Sequence, residues 1–284
     1  MYRMAPLEPI DYLIIGHLTK DLTPTGPRLG GTASFSSLTA RALGLRVGIL
    51  TSCEECMDAT ELEEAGVQVV GMRAGETTTF ENIYRPEGRV QIIHSVAPSI
   101  DLSQVPEVWR SAPIVHLGPV AREVDPNLAR SFPNSLVGLT PQGWMRDWDA
   151  EGRVRYTDWP ESTFVLQHAN AAVMSIEDVK GDERVIEDFA SSIRVLAVTE
   201  GPNGCRLYWN GDLRRFRPPQ MVEVDPTGAG DIFAAAFFVR LYSTRDPWEA
   251  ARFATNLAAY SVLRVGLKGV PTAEEVAAVM TEVI

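Results

Sequence analysis

The sequence predicts an α/β fold built on a mostly parallel central sheet. Short apolar runs such as Tyr12-Leu13-Ile14-Ile15, closed by Gly16, read as strands buried on both faces. They alternate with helical stretches, the order expected of right-handed βαβ units. Near the C-terminal end, Asp225-Pro226-Thr227-Gly228-Ala229-Gly230-Asp231 joins a strand end over 221–224 to an apolar helical run from Ile232 to Val239. A glycine turn between strand and helix is the usual punctuation of such folds.

Composition bounds the rest. The 284 residues, 45% hydrophobic and 22% charged, suffice for one large α/β domain spanning 1–284. A net charge of −11 argues against a general nucleic-acid or anionic-membrane binder. The segment Met1–Pro9 has no apolar signal core, so a cytoplasmic protein is expected. Cys53-Glu54-Glu55-Cys56 is formally a C-x-x-C, but two glutamates between the thiols disfavour thiolates, and a zinc site lacks its other ligands. Two reduced thiols near a strand end is the preferred reading.

In chain order, the first strand leads into a loop carrying Asp21, and Gly30-Gly31 opens a helix over 32–43 that Gly44 closes. A strand over 46–52, a short helix over 60–65 and a strand over 67–72 continue the alternation. The runs 77–85 and 89–95, joined at Pro86-Glu87-Gly88, read instead as a hairpin, which must lie off the parallel core. Phe80, Asn82 and Tyr84 share one of its faces, and Phe80, Tyr84, Val90 and Ile92 are expected to point outward. Strands over 113–117 and 135–139 bracket a helix over 124–131. Gln142 and Arg146 follow the second, at a carboxyl strand end where open α/β sheets bind ligands. The stretch 149–156 reads as a surface excursion. Strands over 171–174 and 195–199 precede a hairpin around Asn210-Gly211, whose Arg214, Arg215 and Arg217 form a solvated edge. Helices over 247–263 and 273–283 end the chain.

The glycine turn carries the chemistry. The start of a helix presents unpaired N–H groups and partial positive charge, and glycines let an anion approach the backbone. Asp231, in the first helical turn, would repel a phosphate unless its work is to take a proton from an attacking hydroxyl. An anion hole followed by a carboxylate is what phosphoryl transfer to an alcohol requires. A capped helix with ordinary turn glycines is the plain alternative.

The seven residues Asp225 to Asp231 resemble the signature Asp-Thr-x-Gly-Ala-Gly-Asp of the ribokinase-like, or PfkB, carbohydrate kinases, and further motifs follow in that family's order. The resemblance implies a three-layer αβα fold with a small β lid, from segments about 18–28 and 77–95. It implies Asp231 as general base, with Gly228, Ala229 and Gly230 as anion hole. It puts Asp21, Gly30, Gly31, Phe35 and Asp225 on the acceptor, where Gln142 and Arg146 join them by their place at a strand end, and Thr199, Gly201, Gly204, Thr227 and Asn256 on the nucleotide. Asp178, with Glu177 as substitute, would arrange magnesium through water. ATP and Mg2+ are the implied cofactors, with a monovalent cation such as K+ held by carbonyls. The family usually has Asn where this chain has Phe35; Gly30-Gly31-Thr32-Ala33-Ser34-Phe35 is similar to the inositol-kinase branch. A small sugar or polyol, an inositol-like cyclitol first, is therefore the expected acceptor. A nucleoside kinase and an inactive scaffold member are the alternatives, and the lid suggests a homodimer.

Overall fold

In the computed structural model, described over residues 6–54, 59–85 and 88–281, a nine-stranded sheet has the order β15-β14-β13-β12-β9-β8-β1-β4-β5. Its strands are β1 (Tyr12–Ile15), β4 (Val47–Glu54), β5 (Gln68–Ala74), β8 (Ile114–Leu117), β9 (Leu136–Leu139), β12 (Ala171–Ser175), β13 (Val195–Thr199), β14 (Cys205–Trp209) and β15 (Asp212–Phe216). Pairing is parallel from β5 to β13, and β14 and β15 add an antiparallel edge. Adjacent residues of a strand face opposite ways, so two cores form. Tyr12, Ile14, Ile49 and Val173 pack against helices α1 (Thr32–Ala42), α5 (Ala229–Thr244) and α6 (Pro247–Ser261). Leu13, Ile15, Leu50 and Met174 pack against the other layer, which includes α3 (Ser162–His168) and α4 (Glu183–Ser192). Two short helices, α2 (Thr60–Glu64) and α7 (Ala273–Thr281), complete the set.

A second sheet of four strands, β3-β2-β6-β7, joins β2 (Thr19–Thr23), β3 (Gly26–Gly30), β6 (Thr79–Arg85) and β7 (Gly88–Ser95). Asp21 thus lies within a strand rather than a loop. Phe80 corrects the expected outward set: it is buried, in a small cluster with Ile93, Val120 and Ala121. Tyr84 lies where side chains are not described, as do Pro86 and Glu87 of the turn; Cys56 is likewise outside the described residues.

Three other expectations are corrected. The stretch 149–156 is no simple excursion: β10 (Arg146–Trp148) and β11 (Val154–Tyr156) pair antiparallel and lean on β7, with Ile93 N–H donating to Gly152 O at 2.8 Å. The strand end over 221–224 does not form. Pro218 and Pro219 lack the N–H groups a ladder needs, and Val224 N–H turns instead to Val262 O. The helix over 124–131 shrinks to a 3-10 turn at Pro126–Arg130, where Asp125 accepts from Asn127 N–H. Helices α3 and α4 carry no clear start signal beyond Asp182, which caps α4.

The chain leaves β1 toward β4 and β5, then returns to β8 on its other side, so β1 and β8 flank the topological switch point. Their carboxyl ends are clamped together by buried Glu123, whose carboxylate accepts from the N–H groups of His17, Val120 and Ala121. α5 is apolar on nearly every side, with Ile232 through Phe238 buried. That brings its N-terminus under the mouth of the switch point.

Candidate active site

A cavity of about 840 Å³ runs along the carboxyl ends of the strands. Its centre is the start of α5. Gly228 takes a left-handed conformation (φ 82°), and a Cβ there would strike the Phe35 ring 2.2 Å away. Only glycine permits both the turn and that packing. Gly230 faces open space, so a side chain at that position would intrude on the cradle. Gly228, Ala229, Gly230 and Asp231 all line the cavity, with the first-turn N–H groups of a 16-residue helix behind them.

Asp231 is half-buried at the cleft floor. Burial pushes its carboxyl up to about 6, against the pull of a hydrogen bond from Thr32 and the charge of Arg146; Asp178 and Asp21 add to the rise. A carboxylate poised just below neutrality suits a general base. Below it, the buried Tyr12 hydroxyl is hydrogen-bonded to His116 Nδ1 at 2.8 Å, and His116 Nε2 to Thr140 Oγ1 at 2.9 Å. Burial holds the imidazole near a pKa of about 3, so this pair is neutral support for the cavity wall.

One end of the cavity is walled by Asp21, Gly31, Phe35, Phe80, Asn82, Gln91, Gln142 and Arg146. Thr19 donates to Asp21 Oδ1 at 2.8 Å, and a Cβ on Gly30 would lie 2.2 Å from Asp21 Oδ2. Gly30 thus makes room for Asp21 rather than lining the cavity. Gly31 (φ 85°) closes on His17 O in the same way. The other end is walled by Thr199, Gly201, Gly204, Pro218, Met221, Thr227, Thr255, Ala259 and Val262. Glu177 and Asp178 stand on the wall between them.

Two further predicted residues lie elsewhere. Asp225 accepts from Thr227 N–H at 2.9 Å and from Gly266 N–H at 3.0 Å, tying the glycine turn to the loop after α6. Burial alone raises its carboxyl, but those bonds and Arg28 outweigh it and hold it below the usual range. Its contribution is to shape the turn. Asn256 is not on the cavity wall, which takes Thr255 and Ala259 from the same helix. Missed in the sequence were Thr32, whose partner Gln142 is 110 residues away, and Gln91, whose amide donates across the hairpin to Asn82 at 3.1 Å. No local pattern marks a contact such as that between Thr32 and Gln142.

Among the described residues no three His, Cys, Asp or Glu side chains are grouped to hold a metal. Glu177 and Asp178 still fit a magnesium ion bound chiefly by phosphate and water, since such ions take one or two carboxylates and keep several waters. Asp178 spends one oxygen on Ser175 N–H at 2.8 Å, capping its own turn.

Comparison with known proteins supports a phosphotransferase. The family model described as pfkB family carbohydrate kinase matches residues 167–273. A cytidine kinase of Thermococcus kodakarensis is 26% identical over 262 residues, covering 84% of this chain and 91% of that protein. An inositol 3-kinase of Oryza sativa subsp. japonica is 28% identical over 287 residues, covering 93% and 71%. A solved pyrophosphate-dependent kinase in the ribokinase family, complexed with a pyrophosphate analog and myo-inositol, superposes with a TM-score of 0.76 at 22% identity, over 94% of this chain and 99% of that one. Residues 167–273 thus match the pfkB carbohydrate kinase family, and the chain has a ribokinase-like fold.

Proposed function

We propose that this protein transfers the γ-phosphoryl group of ATP, with magnesium, to a hydroxyl of a small polyol, an inositol-like cyclitol before a nucleoside. The observation that carries the reading is Asp231, placed between the two ends of one cavity and directly beside the glycine cradle. Asp21 would accept hydrogen bonds from neighbouring acceptor hydroxyls. Asp231 would take the proton of the attacking hydroxyl while the first-turn amides of α5 steady the charge on the transferred group. The segment around Thr199, Gly201 and Gly204 would run along the donor, with Pro218, Met221, Ala259 and Val262 offering an apolar seat for a base. That seat favours ATP over pyrophosphate, which has nothing to place there.

The charge balance supports the metal. The wall carries the carboxylates of Asp21, Glu177, Asp178, Glu223 and Asp231 against the guanidinium of Arg146. A polyphosphate entering such a field needs accompanying cations, and Glu177 and Asp178 are the residues that would hold one. When bound, magnesium supplies charge neutralisation at the phosphoryl oxygens. The four-stranded second sheet, from segments about 18–28 and 77–95, would close over the acceptor as a lid. A loop carbonyl site near Gly266 is proposed for a monovalent cation by family analogy alone.

The inositol reading rests on the motif Gly30 to Phe35 and on the amide pair Asn82–Gln91. The similarity to a cytidine kinase keeps a nucleoside as the second reading. The test is a matrix of donors (ATP, pyrophosphate) against acceptors (myo-inositol, cytidine, fructose, ribose), with and without magnesium. ATP-dependent phosphorylation of myo-inositol is expected to dominate. Preference for cytidine selects the second reading, and no transfer to any acceptor points to the scaffold alternative.

A further inference from the structure

Asp231 is the end of a chain of side chains that begins at the second sheet. Arg146 stacks over the Phe80 ring, its guanidinium carbon 5.6 Å from the centroid. Its Nη1 donates to Val120 O at 2.9 Å, and its Nη2 donates to Gln142 Oε1 at 2.8 Å. Gln142 Nε2 donates to Thr32 Oγ1 at 3.0 Å, and the Thr32 hydroxyl bonds to the Asp231 carboxylate. Every bond in this chain has only one possible direction. A guanidinium can only donate, so Gln142 must turn its oxygen to Arg146 and its nitrogen to Thr32. An amide nitrogen can only donate, so Thr32 receives there and sends its own hydrogen to Asp231. An arginine distant in sequence from both the acceptor loop and the base thus sets which way a hydroxyl points.

We infer that Gln142 and Thr32 are positioning residues, forming with Arg146 a one-way hydrogen-bond relay that holds Asp231 as an oriented, proton-poor carboxylate. One carboxylate oxygen is engaged by Thr32, which leaves the other for the incoming hydroxyl. The relay is buried where it matters: Thr32 is 1% exposed, at the first position of α1 just behind Gly31. Its far end is anchored on Phe80 and sits on β10, which pairs with β11, the strand beside β7. The inference rests on the reading of Asp231 as base, and it assigns Gln142 and Arg146 to the base rather than to acceptor hydroxyls.

The charged and titratable groups around Asp231 are Arg146, Asp178, Asp21 and Tyr12. Thr32 bears no charge and bonds directly to Asp231, so Thr32→Val isolates the relay, while Gln142→Met also removes an acceptor from Arg146. The experiment is a 13C NMR titration of the intact protein labelled at aspartate Cγ, with the Asp231 signal identified by its loss in Asp231→Asn. Thr32→Val, which keeps the shape and removes the hydroxyl, is expected to raise the Asp231 midpoint by about one pH unit, the size of one lost hydrogen bond to a charged group. Gln142→Met should raise it by roughly half as much, since the hydroxyl loses its guide but remains. Thr32→Ser should restore the original midpoint. In the kinase assay the acidic limb of kcat/KM should move with the NMR midpoint in each variant. An unchanged midpoint in Thr32→Val overturns the relay. Because the titration needs no acceptor, that outcome stands apart from failure of the kinase reading, which would appear as full turnover in Asp231→Asn. If Thr32→Val does not fold, Gln142→Met alone decides: an unmoved midpoint there also overturns the proposal.

Discussion

At the scale of single residues, Asp231 is a carboxylate kept where carboxylates are uncomfortable. Its folded pKa, raised to about 6, means that the folded protein holds this proton more tightly than the unfolded chain does. Stability from this group is therefore fully present below the ordinary aspartate range and is lost as pH rises toward about 6. At pH 7 the ionised group costs about 2–3 kcal/mol. Asp231→Asn should accordingly unfold at higher denaturant concentration than wild type at pH 7, and the gap should close by pH 4. The same substitution should lower turnover by about 10²- to 10⁴-fold, because an amide cannot take the proton. A variant that is both less stable and fully active would remove Asp231 from its role. In the wild-type enzyme kcat/KM should climb through pH 6 as the base ionises. Asp21→Ala should raise KM for the acceptor much more than KM for ATP, through charge-assisted bonds worth roughly 1.5–3 kcal/mol each; equal losses would argue for another acceptor site.

At the scale of elements, the glycine turn and its helix were legible because local rules agree there: glycine where φ is positive, an acidic first turn, then an apolar run. The parallel strands were legible for the same reason. What escaped was set by partners far off in sequence. β10 and β11 form because β7 offers them an edge, and the stretch before Asp225 stays irregular because two prolines forbid a ladder. Asp225, read as an acceptor contact, proves to be a staple to Gly266, a contact of 41 residues that no motif reports. Gly228→Ala combines a positive φ with a clash against Phe35, so it should destabilise the fold by about 2–4 kcal/mol and abolish turnover; thermal melting checks it, and Gly228→Ala with Phe35→Ala should recover part of the stability but little activity. For the second sheet, hydrogen exchange across 77–95 should slow when the acceptor binds. Unchanged exchange would show that this sheet does not close.

At the scale of the whole molecule, the net charge of −11 and the carboxylate-rich cavity act in the same direction. Chelating magnesium should abolish transfer rather than merely slow it, and residual ATP-dependent turnover in excess chelator would contradict the charge argument. Whether two copies meet through the second sheet is read from scattering mass, with a dimer expected. The switch point described above also divides the chain by labour. The second sheet, the strands up to β9 and the turn after it that carries Gln142 and Arg146 build the end of the cavity around Asp21. The stretch from β12 to the loop after α6 builds the end around Gly201, and it is the stretch that the family model matches. Inheritance can therefore treat the two halves differently. On the proposed reading the later half would face the phosphoryl donor, while the earlier half would be free to be rewritten for whichever alcohol a lineage comes to use.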